Sequence, residues 1–156
     1  MDKVIDDVKN EVFSLQSQFP SYSVTVTGHS LGAALALLTA LELRQSGVTV
    51  NMYNFGNPRV GNDEFYDWVT ASDDVNYRVV HNNDIVPHTP PNSFGFHHIA
   101  TEMWEQEDGS VRTCNGTGED ESCSWGVPAR DYSIDDHHWY LGIALSCDGK
   151  TARIEN

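Results

Sequence analysis

One stretch, Ser23–Leu43, constrains this chain more than any other: SVTVTGHSLGAALALLTALEL. A β-branched run reads as a strand, and the run after Leu31 is rich in strong helix formers through Gln45, with Gly47 as its stop. Only Gly28-His29-Ser30-Leu31-Gly32 separates the two, so the chain must turn sharply with Ser30 at the apex. Flanking glycines at 28 and 32 are expected to avoid clashes that a Cβ would create there. This is the G-x-S-x-G pattern, which lifts a serine hydroxyl above a sheet edge. Free backbone N–H groups and the positive end of a helix dipole favour developing negative charge at that point. The Leu31 N–H is the candidate donor to such an oxyanion.

The rest of the chain supplies a setting for this turn. Val4, Val8, Val12, Leu15 and Phe19 recur at helical spacing and predict an amphipathic helix over residues 3–19, ended by Pro20. Strands are expected at Ser23–Thr27, Val48–Phe55 and Asn76–His81, with a short helix at Asp63–Thr70. Ile99–Gln106 and Ser110–Thr113 read as a hairpin turned at Asp108-Gly109. A short helix from Ile134 and a last segment from Tyr140 to Cys147 close the chain. Alternation of strand and helix indicates βαβ units, a mainly parallel sheet and one domain over residues 1–156. A strand like Ser23–Thr27 should be central in such a sheet, and central strands need neighbours on both sides.

A serine hydroxyl is a weak nucleophile near neutral pH and needs a base held by an acid. With the order serine, acid, histidine, Asp84 follows the strand NYRVVH and falls at the same sheet edge as Ser30. His137, in DDHHWYLG, is the candidate base. Asp63, Asp73 and Asp74 read as solvated carboxylates in or beside a helix. Asp135 and Asp136 are chain neighbours of His137, poorly placed to hold its ring in line. His97-His98 and His137-His138 are adjacent pairs that do not easily offer two ligands to one ion, and no metal signature accompanies them. Strand-end and surface roles are expected for His29, His81, His88, His97, His98 and His138.

With 23 Asp and Glu against 9 Lys and Arg, a formal charge of -14, the chain would repel a nucleic-acid backbone. No apolar run reaches the roughly 20 residues of a membrane-spanning helix. Cys114 and Cys123 bracket a polar loop that suits a local disulfide, and this loop also holds the triplet Asn115-Gly116-Thr117, an N-glycan acceptor pattern. Cys147 has no obvious partner. The first residues lack the apolar core of an export signal, so oxidised cysteines point to a piece of a longer secreted protein. A binding module would rest only on surface aromatics such as Trp104 and Trp125.

Four blocks in order, VTVTGHSLGAALALLTALEL, NMYNFGNPRVGN, YRVVHNNDIVPHTPP and HHWYLG, resemble the fungal class 3 lipase family of the α/β-hydrolase superfamily. The resemblance runs from about Val24 to Cys147. It implies a truncated α/β-hydrolase fold, a mainly parallel sheet flanked by helices, with N-terminal strands and helical lid absent. By residue, it implies Ser30 as nucleophile, Asp84 as acid, His137 as base, and no metal or cofactor. It pairs Cys114 with Cys123 and places Cys147 where the family ties its C-terminal segment to an early cysteine. The implied activity is ester hydrolysis through an acyl-enzyme, first on triacylglycerols at an oil–water interface, in an extracellular parent protein. Alternatives are a feruloyl or short-chain esterase and, from another class, a catalytically dead fragment. Lacking the family's N-terminal half and its second oxyanion donor, the isolated chain is expected to fold poorly and turn over feebly.

Overall fold

The computed structural model describes residues 2–71 and 75–145. Helix α1 (Asp2–Gln18) leads into strand β1 (Val24–His29), helix α2 (Leu31–Gln45), strand β2 (Val50–Phe55), helix α3 (Asp63–Thr70) and strand β3 (Asn76–His81). A hairpin follows, β4 (Glu102–Glu105) with β5 (Val111–Thr113), and a small separate ribbon, β6 (Trp139–Tyr140) with β7 (Ile143–Ala144), ends the described part. The main sheet runs in the order β1-β2-β3-β4-β5, parallel throughout except for β5. Helix α2 begins at Leu31, α3 spans Asp63–Thr70 and β3 spans Asn76–His81, as the patterning predicts. The helix expected from Ile134 is only a 3-10 turn at Asp136–His138.

Register explains the core. Val24 lies opposite Val50 and Val26 opposite Met52, so one sheet face presents aliphatic side chains to α2. Leu37, Ala40, Leu41 and Leu43 of α2, Val69 of α3 and Ile99 pack there with Val48, Val50 and Met52. Sequential parallel strands joined by right-handed crossovers place both helices on that one face. The other face carries Tyr53 opposite Tyr77, rings 5.6 Å apart and each more than a third exposed. Among the described residues strand β1 pairs only with β2, so it forms an edge of this sheet, and α1 packs loosely: Val4 and Leu15 of its apolar stripe stay exposed, as does Phe19 just past it.

Polar groups also fill the interior, and two histidine expectations fail there. His88 and His98 are buried, not at the surface. His88 stacks on Tyr132 at 3.9 Å, and His98 donates from Nε2 to the Pro87 carbonyl. Burial, helped by the Arg59 and Arg78 guanidinium groups, pushes the His88 imidazole down to about 4 and holds His98 well below its ordinary value. A neutral imidazole is a small enough polar load to bury, which charge-based reading of a histidine misses. Trp104 and Trp125 are half-buried rather than presented to solvent. The Trp104 indole N–H donates to the Asn82 carbonyl at 2.9 Å, and Trp125 lies under the Arg59 guanidinium at 4.9 Å. Arg59 itself forks onto both Glu119 oxygens.

Arg78 on β3 is the largest fully buried side chain among the described residues, bonded from Nη2 to Glu102 (2.8 Å) and to the Gly118 carbonyl (3.0 Å). Cys114 and Cys123 form the expected disulfide beside it. Cys147 lies outside the described residues. Removing one partner of a buried pair strands a charge. Arg78→Met is therefore expected to cost about 3–5 kcal/mol in urea unfolding, and Arg78→Met with Glu102→Leu to recover much of it. NMR titration of the imidazole protons should find His88 neutral from pH 8 down to about 5 and titrating near 4. Because the unfolded ring takes its proton near 6.5, this residue's contribution to stability is present above that pH and is lost as pH falls towards 4.

Candidate active site

The C-terminal ends of the parallel strands build the site. Strand β1 hands over at His29, and Ser30 adopts φ 58°, ψ -128° before α2 begins at Leu31. A non-glycine residue held there stores roughly 1–3 kcal/mol of strain, tolerated only where surroundings fix it. They do: the Ser30 N–H extends the β1–β2 ladder to the Phe55 carbonyl at 3.0 Å, and the Ser30 carbonyl accepts from Ala33 N–H at 2.9 Å. Gly28 must be glycine, because a Cβ would lie 2.2 Å from the Gly32 carbonyl oxygen. The same expectation fails for Gly32, where a Cβ would meet open space on the outer side of α2. The Leu31 amide is the first of α2, a position where no preceding turn supplies an acceptor.

Asp84 sits just past β3 and is fully buried. Its Oδ1 accepts the Val86 N–H at 2.8 Å. Its Oδ2 accepts His137 Nδ1–H at 2.8 Å together with the Tyr140 hydroxyl. Burial and the neighbouring Asp84 raise Tyr140 above the ordinary phenol range, so it stays protonated and donates. The structure thus brings Asp84 and His137 together.

How His137 arrives is equally specific. The segment after β3 zips against Ser133: the Ser133 N–H donates to the Asn83 carbonyl (2.9 Å) and the Ile85 N–H to the Ser133 carbonyl (3.1 Å). Asp136 accepts from Asn82 Nδ2 and the Asn83 N–H, and its carbonyl accepts from His81 Nδ1. That carboxylate fastens the loop and does not reach the imidazole, as its chain position suggested. Asp135 is exposed, Asp63 is exposed with one carboxylate oxygen 3.0 Å from His97 Nδ1, and Asp73 and Asp74 lie outside the described residues. The Leu141 N–H is held by Glu105 at 2.9 Å, which ties the β6–β7 ribbon to the end of β4.

Three further residues belong to the site. Gly56, at φ 57°, forms its floor: a Cβ there would come within 2.9 Å of His137 Cε1 and of the Tyr140 oxygen, and 3.0 Å of Asp84 Oδ2. Since His29 lies opposite Phe55 in the register, Gly56 is the lateral neighbour of Ser30, and the imidazole rests over that point. His29 donates from Nε2 to the His137 carbonyl at 2.9 Å, with the two rings 4.4 Å apart. Burial lowers the His29 imidazole below its ordinary value, which keeps it neutral beside His137. Tyr140 is the third. Only Gly56 left a trace in the sequence, as a glycine directly after the strand that pairs with β1. Among the described residues, Ser30 Oγ makes no hydrogen bond, so the structure joins His137 to Asp84 but does not join the serine to the imidazole. Apo serine–histidine distances are often long and tighten when a reacting group binds. Glu102 lies close to Cys114 and Cys123, but those sulfurs are joined in the disulfide and Glu102 holds Arg78, so this group does not suit a metal ion.

The sequence and the fold are matched in known proteins. The family model described as lipase (class 3) matches residues 1–94. A lipase from Rhizomucor miehei is 40% identical over 148 residues, covering 88% of this chain and 40% of the relative. A secreted mono- and diacylglycerol lipase 1 from Fusarium solani is 41% identical over 103 residues, 66% of this chain and 31% of the relative. A solved triacylglycerol lipase whose catalytic centre is a serine protease triad superposes with TM-score 0.82 at 39% identity, over 90% of this chain and 57% of that one. The chain therefore spans about half the length, or less, of the relatives it matches. By motif, fold and these matches, it belongs to the class 3 lipase family.

Proposed function

We propose that this chain is the nucleophile-bearing part of a serine carboxylic ester hydrolase that acts through an acyl-enzyme. The observation that carries this reading is the His137–Asp84 bond of 2.8 Å, made over Gly56 and braced by His29, the residue before Ser30. Ser30 Oγ attacks the ester carbonyl as His137 Nε2 takes its proton, and the Leu31 N–H receives the charge that grows on the carbonyl oxygen. His137 then passes that proton to the leaving alcohol. Asp84 fixes the Nδ1–H tautomer and steadies the imidazolium, with Tyr140 and Val86 holding the carboxylate from its other sides. Water, activated by the same imidazole, releases the acid. No cofactor enters.

Acylglycerols are the proposed substrates. Leu31, next to Ser30, and Ile134, Trp139, Leu141 and Ile143, flanking His137, all leave apolar side chains exposed. An apolar border around a buried polar centre suits a lipid surface or acyl chains better than a small polar ester. The relatives' names fit: lipase, and mono- and diacylglycerol lipase. Secretion of the Fusarium relative and the Cys114–Cys123 bond support an extracellular parent protein.

A fluorophosphonate probe should label the chain at Ser30. Ser30→Ala is expected to abolish labelling and Asp84→Asn to slow it roughly 1,000-fold or more, by favouring the wrong tautomer. Labelling that persists in Ser30→Ala would defeat the mechanism. For substrate class, the sequence extended to the length of its relatives should hydrolyse tributyrin and triolein well above methyl ferulate; the reverse order would make it a feruloyl esterase.

A further inference from the structure

The loop closed by Cys114–Cys123 has a pinned underside and a free crest. Underneath, the Asn115 N–H donates to Asp120 Oδ2 at 2.8 Å, and Asp120 Oδ1 takes the Ser122 N–H and hydroxyl. Tyr66 donates its hydroxyl to the Gly116 carbonyl, and the Gly118 carbonyl accepts from buried Arg78. Residues 118 and 120 are buried, whereas Asn115, Gly116 and Thr117 are exposed. On that crest Asn115 Oδ1 accepts both the Thr117 N–H, at 3.0 Å, and the Thr117 hydroxyl, at 2.5 Å. The amide oxygen is therefore occupied and polarised, while Asn115 Nδ2 makes no hydrogen bond among the described residues.

We infer that Asn115 is an N-glycan attachment site. The triplet supplies the acceptor pattern, and the fold leaves its amide nitrogen pointing at no partner that a sugar would displace. The donor class is an oligosaccharide carried on a polyprenyl diphosphate. A bond forms between Asn115 Nδ2 and the sugar C1, the C1–O bond to diphosphate breaks, and the amide gives up one proton as the lipid diphosphate leaves. The loop's disulfide fits the same compartment, since the secretory lumen both oxidises thiols and holds the glycan donor. A sugar here would stand two residues past β5, whose three residues are all exposed and which, among the described residues, pairs only with β4, at a sheet edge of the kind that natural proteins cover. The inference is independent of the chemistry at Ser30.

The competing reading is that Asn115-Gly116-Thr117 is only a turn, its side chain closing the crest through Oδ1. Variants separate the two. Asn115→Asp keeps the Oδ1 acceptor but removes the nitrogen, Thr117→Ser keeps both the hydroxyl and the acceptor pattern, and Thr117→Ala breaks the pattern. The full 156-residue chain, placed behind a cleavable export signal in yeast, would be digested without reduction and its peptides weighed, from medium and cell lysate alike. The linked Cys114–Cys123 peptide certifies passage through the lumen. Expected is a hexose-rich mass increment on that peptide, removed by peptide-N-glycosidase F, kept in Thr117→Ser and lost in Asn115→Asp and Thr117→Ala. Linked peptide with bare Asn115 in the wild type overturns the inference, as does an increment that survives Asn115→Asp.

Discussion

Everything at the site depends on how one buried carboxylate is satisfied. Asp84 has no contact with water, and a carboxylate so placed is costly unless donors replace its hydration. Three do: a backbone amide two residues on, an imidazole nitrogen and a phenol. Two of the three come from the segment around residues 137–140. Seating Asp84 and closing that segment onto the end of β3 are thus one event. The Ser133 zipper and the Asp136 tether act on the same approach without touching the Asp84 carboxylate. The pairing of His137 with Asp84 is a by-product of satisfying a polar interior.

The second constraint is strain shared between adjacent strand ends. Ser30 and Gly56 both sit at positive φ where β1 and β2 stop, and the Ser30–Phe55 hydrogen bond fixes them side by side. One position projects a hydroxyl; the other must project nothing, because the imidazole, phenol and carboxylate fill the space a Cβ would need. The parallel register converts two local turn conformations into one surface. His29 adds a cross-brace, linking the residue before Ser30 to the main chain of His137.

Legibility followed the range of the interaction. The β1–turn–α2 unit, α3 and β3 were readable because period and turn chemistry are local, and Ser30, Asp84 and His137 could be ordered along one sheet edge. The roles of Tyr140, Gly56 and His29 were not readable, since each is defined by a partner more than 50 positions away that no periodicity announces. His88 and His98 were misplaced for a related reason: a histidine's hydropathy says nothing about whether stacking and a carbonyl acceptor will let it be neutral inside. Gly32 was credited with a clash that belongs to Gly28 alone, because helix phase, not proximity to the serine, decides which way a Cβ points. The exposed stripe of α1 shows the opposite error, in which amphipathic spacing was present but the surface to receive it is only partly present among the described residues.

On the proposed reading, one feature of the surface acquires a physical role. Hydrogen bonds and charges around a developing oxyanion are strongest when water is excluded. Yet Ser30 is only half-buried, and Leu31, next to it in the chain, with Ile134, Leu141 and Ile143 on either side of His137 in sequence, leave apolar side chains exposed. A small polar ester would leave them wet, and the site would work at high dielectric. Acyl chains or a lipid surface laid across them would remove apolar area from water and dry the centre in the same step, so the binding energy of the lipid would strengthen the electrostatics at Ser30. On the proposed mechanism, this coupling would give a bulky apolar substrate an advantage in turnover as well as in affinity.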